Sequence, residues 1–265
     1  MSTIDNCWGD SYQYNYQSIV DDLYSLLRIK TLPIGMKRYK TIEEMESIPR
    51  IRRPDVSEKL NTDQIVGQSR WIGYTIGITM ENLVGSQCGA VVGLHPRDDE
   101  FLSGNAFNGV WYGSLEDSAR HQAEMDCPSY GEYQALAVSP LTSGRLGNPD
   151  ICLIYGTPGQ MITFINGLQW TGYKKLAFSC VGESACADSW GRALKTGEPS
   201  LSIPCYAERK FGGVQDDELL MAIPPSFLPG TVAGLKALSA NGLRYPIPNH
   251  GLDMSPMSSM IKSYG

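Results

Sequence analysis

The chain has 265 residues, 42% of them hydrophobic and 19% charged, and a formal net charge of −6. This composition excludes a disordered or fibrous polymer, and the acidic balance argues against a nucleic-acid partner, which needs a basic face. No apolar run approaches the roughly 18 residues of a membrane span, and the polar start lacks a basic region followed by an apolar stretch. No membrane contact and a cytoplasmic location are therefore expected.

Residues 1–16 are rich in Tyr, Asn and Asp without a period and read as an N-terminal arm. From Gln17 the spacing of Ile19, Leu23, Leu26 and Leu27 predicts a helix. It stops before Leu32-Pro33, because the residue preceding a proline is pushed out of the helical region. Residues 33–39 read as a short strand. Residues 48–60, with Pro49, Pro54 and the basic cluster Arg50, Arg52 and Arg53, read as an exposed, solvated connection. A second helix is expected over Asp63 to Tyr74. Glycines around Cys88 in the segment 85–93 allow close approach of chain to chain. Ser114 followed by Glu116 and Asp117 opens a further helix, ending near Cys127, with His121 on its surface.

In the second half, residues 133–138 and 150–155 read as strands. Thr157-Pro158-Gly159-Gln160 is a helix start, with Thr as cap, Pro at the first helical position and Gln three after the cap. Strands are predicted at 176–180, 200–204 and 219–223, followed by a helix over 225–239. The short connections between 174 and 223 suit antiparallel pairs better than crossovers. The expected fold is α+β (mixed α/β): a single domain over 17–248 with a mixed, partly antiparallel sheet flanked by helices. A tail rich in Pro, Ser and Met follows over 249–265.

Common catalytic signatures are missing: no phosphate-cradling loop, no dinucleotide fingerprint, no His-Glu-x-x-His and no nucleophile elbow. The histidines, His95, His121 and His250, share no pattern. Of the seven cysteines, Cys152 alternates within an apolar strand and reads as core, while Cys7 and Cys127 lie in polar loops. Cys88, Cys186 and Cys205 each fall at an element boundary beside small residues, where free backbone N–H groups favour thiolates or sulfides. Three thiolates reaching one point would hold a four-iron cluster with one iron open, or a zinc ion with one open position. The competing reading is that all three are buried thiols with no metal. Cys180 reads either as a fourth ligand or as a packed strand residue.

The segments 31–37 (TLPIGMK) and 149–160 (PDICLIYGTPGQ) resemble the domain of unknown function 169 family. So do Cys205-Tyr206-Ala207-Glu208-Arg209 with Phe211-Gly212-Gly213, Asp217-Glu218-Leu219, and Arg244-Tyr245-Pro246-Ile247-Pro248. The resemblance covers roughly residues 17–248 and implies a fold and a cysteine pattern rather than a reaction. It implies that relatives carry cysteines matching Cys88, Cys186 and Cys205. It also implies a fourth, just before the Ala-Arg of the second helix, where this chain has Gly67 in Val66-Gly67-Gln68-Ser69-Arg70. That departure leaves a three-cysteine centre with an exposed iron, or a member that holds no metal.

Two functional readings follow. In the first, an open metal site acts as a Lewis acid in a lyase or hydratase working on a small organic acid or aromatic compound. Arg209 and Arg70 would hold a substrate carboxylate, and Glu183 or Asp188, flanking Cys186, would serve as acid or base. The plain alternatives are an ion pair from Arg209 to Asp216 or Asp217 and a solvated Glu183. In the second reading the domain is a non-catalytic accessory subunit that bears a cluster or binds a ligand, with Trp71, Tyr74, Trp111, Tyr112, Trp170 and Trp190 lining a pocket. The partners expected are a small-molecule substrate and either a second copy of the chain or another subunit.

Overall fold

The computed structural model describes residues 14–247 of the chain. The N-terminal arm up to residue 13, with Cys7, and the whole C-terminal tail, with His250, lie outside the described residues. In chain order the elements are α1 (Tyr16–Leu27), β1 (Ile34–Tyr39), α2 (Ile42–Glu46), α3 (Thr62–Ile72), β2 (Ile76–Thr79), α4 (Ser86–Val91), α5 (Asp99–Leu102) and α6 (Leu115–Glu124). There follow β3 (Ala135–Pro140), β4 (Ile151–Gly156), α7 (Pro158–Leu168), a π-helical turn (Ala187–Gly191), α8 (Arg192–Thr196), β5 (Ser200–Ser202), α9 (Tyr206–Gly212), β6 (Leu219–Ile223) and α10 (Leu228–Ala240).

The strands form one open sheet in the order β2-β3-β1-β4-β6-β5, and every ladder is antiparallel. The fold is α+β, as the sequence predicts. The expectation of a mixed sheet is refined: parallel pairing among the described residues is confined to isolated bridges such as Arg52 with Ile76. Strand alternation sorts the two faces. On β4 and β6, Cys152, Ile154, Met221 and Ile223 meet α1, α7 and α10 through Leu23, Leu27, Phe164 and Leu235. Ile151, Leu153, Tyr155, Leu220 and Ala222 point the other way, into a core shared with α3, α4 and the π-helical turn. The second face holds the candidate site.

Local chemistry explains most boundaries. Thr157 caps α7 as a capping box with Gln160, whose amide also donates to Leu27 O and Arg28 O at 2.9 Å each and so ties α7 to the end of α1. Asn61 and Gln64 form the same box at the start of α3. The strand predicted over 176–180 does not form: the segment is irregular and mostly exposed, and it pairs with no strand among the described residues. The short edge strand β2, by contrast, has no alternating pattern in sequence. All four of its residues are buried, and Arg52 lies along its outer side, donating to Thr75 O and accepting from Gly77 N.

Candidate functional site

The three cysteines at element boundaries come from separate parts of the chain and meet on one side of the sheet. Cys88 is the third residue of α4, Cys186 immediately precedes the π-helical turn, and Cys205 is the N-cap of α9. A π-helical turn is a rare departure from α geometry that recurs at functional sites. Its approach is tight as well. Ser184 adopts a left-handed backbone at φ 66°, and a Cβ on Gly191 would fall onto the Asp126 carbonyl. Gln87, next to Cys88, donates to the Ser184 hydroxyl and ties α4 to this turn.

Burial pushes the Cys186 thiol well above its ordinary range, and charge on Cys88 or Cys205 would push it further. The Cys88 thiol is pushed up to about 12, again by burial first and by Asp63 second. Cys205 is raised by burial and then by Glu208. All three are therefore neutral thiols at physiological pH in the free chain.

Two carboxyl groups share this interior. Asp63, in the first turn of α3, and Glu208, in the first turn of α9, are 2% and 1% exposed. Burial raises both pKa values. The half-buried Glu183 raises Asp63 further, and Asp63 does the same to Glu208. Glu208 Oε2 accepts the Cys205 N–H at 2.9 Å. Its Oε1, together with Asp63 Oδ1, Thr62 Oγ1 and Tyr155 Oη, has no hydrogen-bond partner among the described residues. The Thr62 hydroxyl nevertheless lies against Cys88 and favours its thiolate. Orphaned buried oxygens are rare and costly, and these four lie in the same interior as the thiols.

Thr62 and Asp63, in the first turn of α3, lie beside the thiols. A Cβ on Gly67 would lie 2.7 Å from the Gly212 carbonyl oxygen, because α3 and α9 cross there in backbone contact. Gly67, where the family resemblance implies a thiol in relatives, lies here at the crossing of α3 and α9. Among the described residues, no three His, Cys, Asp or Glu side chains close around one point tightly enough to hold a single metal ion.

The remaining expected site residues separate into two groups. Arg70 is not open to a ligand. Its Nη2 holds Glu218 at 2.6 and 2.7 Å, its Nε donates to Thr31 Oγ1 at 3.2 Å, and its guanidinium lies 3.8 Å from the Tyr155 ring centroid, all fully buried. Asp188 is likewise structural: it accepts from Ser179 Oγ and Val181 N, both at 2.9 Å, and pins the loop before the turn. Arg209 and Glu183 sit at the mouth. Arg209 forms an exposed ion pair with Asp216 at 3.1 Å and lowers the pKa of Glu183, which burial raises. Cys180 is exposed and takes no part.

His121 corrects another expectation, since it is buried rather than on the surface. It stacks on Tyr112 and Phe107 with centroids at 5.0 and 5.7 Å. Its Nε2 donates to the Glu183 carbonyl oxygen at 2.7 Å, while Nδ1 faces the Gln122 amide at 3.2 Å. Desolvation lowers its pKa, so the neutral ring holds the backbone of Glu183 in place. The aromatic residues do not gather as one pocket lining. Trp190 is fully buried, while Trp71, Trp111 and Trp170 are half exposed.

A cavity of about 330 Å³ opens beside Cys205, lined by Tyr206, Arg209, Lys210, Val214, Gln215 and Asp216. The sequence did contain a signal for Glu208: Cys205-Tyr206-Ala207-Glu208 has the spacing of a capping box, with Cys in the place of Ser or Thr. Nothing in the local pattern marks Thr62, Asp63 or Tyr155, which come together only through the packing of α3, α9 and β4.

The profile of the domain of unknown function 169 family, described as an uncharacterised ArCR family, matches residues 22–234. The chain belongs to this family. The match takes in the whole sheet, the three cysteines, Asp63, Glu208 and the cavity beside them, so the site lies within the family domain and not in an appendage. No curated protein and no solved structure matches the chain. Among the described residues no helix is long and apolar enough to cross a membrane.

Proposed function

We propose that Cys88, Cys186 and Cys205 hold an iron–sulfur cluster of the four-iron type. On this reading the protein is a cytoplasmic lyase or hydratase acting on a small organic acid or aromatic compound. The observation that carries it is the meeting of three thiols from three elements in one buried place ringed by orphaned carboxylate, hydroxyl and phenol oxygens. The donor set suits a thiophilic centre. The alternative centre for the same three thiols is a zinc ion with one open position.

When bound with one iron open, such a centre supplies Lewis acidity to a substrate oxygen. The chain's own residues supply the rest. Burial keeps Glu183 nearer to neutral pH than a free glutamate, as an acid–base group requires, and His121 fixes its backbone. The N-terminal turn of α3, carrying Thr62 and Asp63, presents the positive end of its dipole to the thiolates. Since the thiols are neutral in the free chain, binding must expel their protons, and metal affinity rises with pH.

The test is the iron and sulfide content of anaerobically purified protein beside Cys88→Ala and Cys205→Ala. Loss of most of the iron in both variants is expected. A full metal load in both refutes the assignment. A cluster whose spectrum responds to added carboxylic acids supports the enzyme, while one indifferent to every ligand supports an electron-carrying subunit.

A further inference from the structure

The cavity beside Cys205 combines two features that recognise different parts of one molecule. The first is charge. Arg209 and Lys210 line it against a single carboxylate, Asp216, and Arg209 lies near enough to Glu183 for its charge to lower that carboxyl's pKa. The Arg209–Asp216 pair is 46% and 92% exposed on its two sides, the kind of surface pair that contributes little and exchanges readily for another carboxylate. The second feature is an uncovered aromatic surface. Tyr206 lines the cavity and pairs with Trp111 at 5.8 Å between centroids, and the two rings are 49% and 44% exposed. Lys210 Nζ lies 5.6 Å from the Tyr206 centroid. Large exposed rings held beside a guanidinium make an amphipathic slot, apolar on one wall and anion-binding on the other. At about 330 Å³ the space suits a molecule of one ring with a short substituent.

We infer that this cavity binds a planar aromatic carboxylate, with the carboxylate on Arg209 in place of Asp216 and the ring against Tyr206. As a substrate site this rests on the enzymatic reading above, whereas binding itself depends only on the cavity. Cys205 immediately precedes Tyr206, so a ligand seated there lies at the mouth of the thiol site.

The experiment is ligand-observed NMR titration of the full chain with benzoate, benzamide and cyclohexanecarboxylate. Benzoate should bind about tenfold more tightly than benzamide, which lacks the charge that Arg209 recognises. It should also bind more tightly than cyclohexanecarboxylate, which lacks the flat face. Arg209→Gln should reduce benzoate to the level of benzamide, and Tyr206→Leu to that of cyclohexanecarboxylate. Both side chains are exposed, so circular dichroism of the variants should match the parent. Benzoate binding no tighter than benzamide, or unchanged affinity in Arg209→Gln, overturns the inference. Iron-free protein that still selects benzoate would sustain it while removing the cluster. Iron-bearing protein that ignores benzoate would do the reverse.

Discussion

Replacing Glu218 with Gln tests whether Arg70 belongs to the framework or to the ligand site. The carboxylate meets Arg70 Nη2 through both oxygens at 2.6 and 2.7 Å and also accepts the Gln215 N–H at 2.8 Å. With side-chain exposures of 0% and 4%, the pair is shut away from water, and Arg70 Nη1 already lacks a partner among the described residues. Glu218→Gln would leave a guanidinium charge buried without its counterion, a loss of about 3–5 kcal/mol. At about 2–4 °C per kcal/mol for a domain of this size, melting should fall by roughly 6–20 °C. Thermal unfolding followed by circular dichroism reads the shift. Arg70→Met combined with Glu218→Leu should melt higher than either single change, because no orphaned charge remains. A Glu218→Gln shift below about 2 °C would refute the reasoning. Benzoate binding abolished by Arg70→Met at an unchanged melting temperature would restore Arg70 as a ligand contact.

Two further outcomes follow from the geometry. Gly67→Cys forces a Cβ to 2.7 Å from the Gly212 carbonyl and should cost about 1–3 kcal/mol without adding a ligand. Thr62→Cys, in contrast, puts a fourth thiol beside Cys88 and should slow iron loss in air; iron loss as fast as in the parent would argue against the Thr62 placement. The buried carboxyls set a pH dependence. Asp63 and Glu208 have raised pKa values, so the folded chain retains protons that the unfolded chain releases from about pH 4 upward. Stability of the metal-free protein should therefore fall as pH rises from 5 to 8, and Asp63→Asn should flatten the decline. A melting temperature that climbs over that range would contradict it.

The fold was legible where local chemistry and periodicity agree. The capping box at Thr157 and Gln160, the β4 alternation around Cys152 and the Ser114 cap of α6 all name their elements from a few residues. Legibility failed where partners decide. The apolar stretch over 176–180 has strand composition but no strand partner among the described residues, whereas β2 gains its place from β3 on one side and Arg52 on the other. The site divided in the same way. Element boundaries singled out Cys88, Cys186 and Cys205, and Arg209 pairs with Asp216 as its plain alternative held. Arg70 was misjudged because a buried bidentate partner 148 residues away leaves no local trace. His121 was misjudged because the polar neighbours on its own helix suggested solvent, while Tyr112, Phe107 and the Glu183 carbonyl, supplied from outside the helix, enclose it.

The sheet ends in strands of four and three residues, β2 and β5, and the rim of β2 is already occupied by Arg52. Among the described residues neither border offers a long free ladder onto which an incoming polypeptide could zip, which is how natural proteins resist runaway strand addition. Short borders of this kind favour joining copies through side chains over continuation of the sheet.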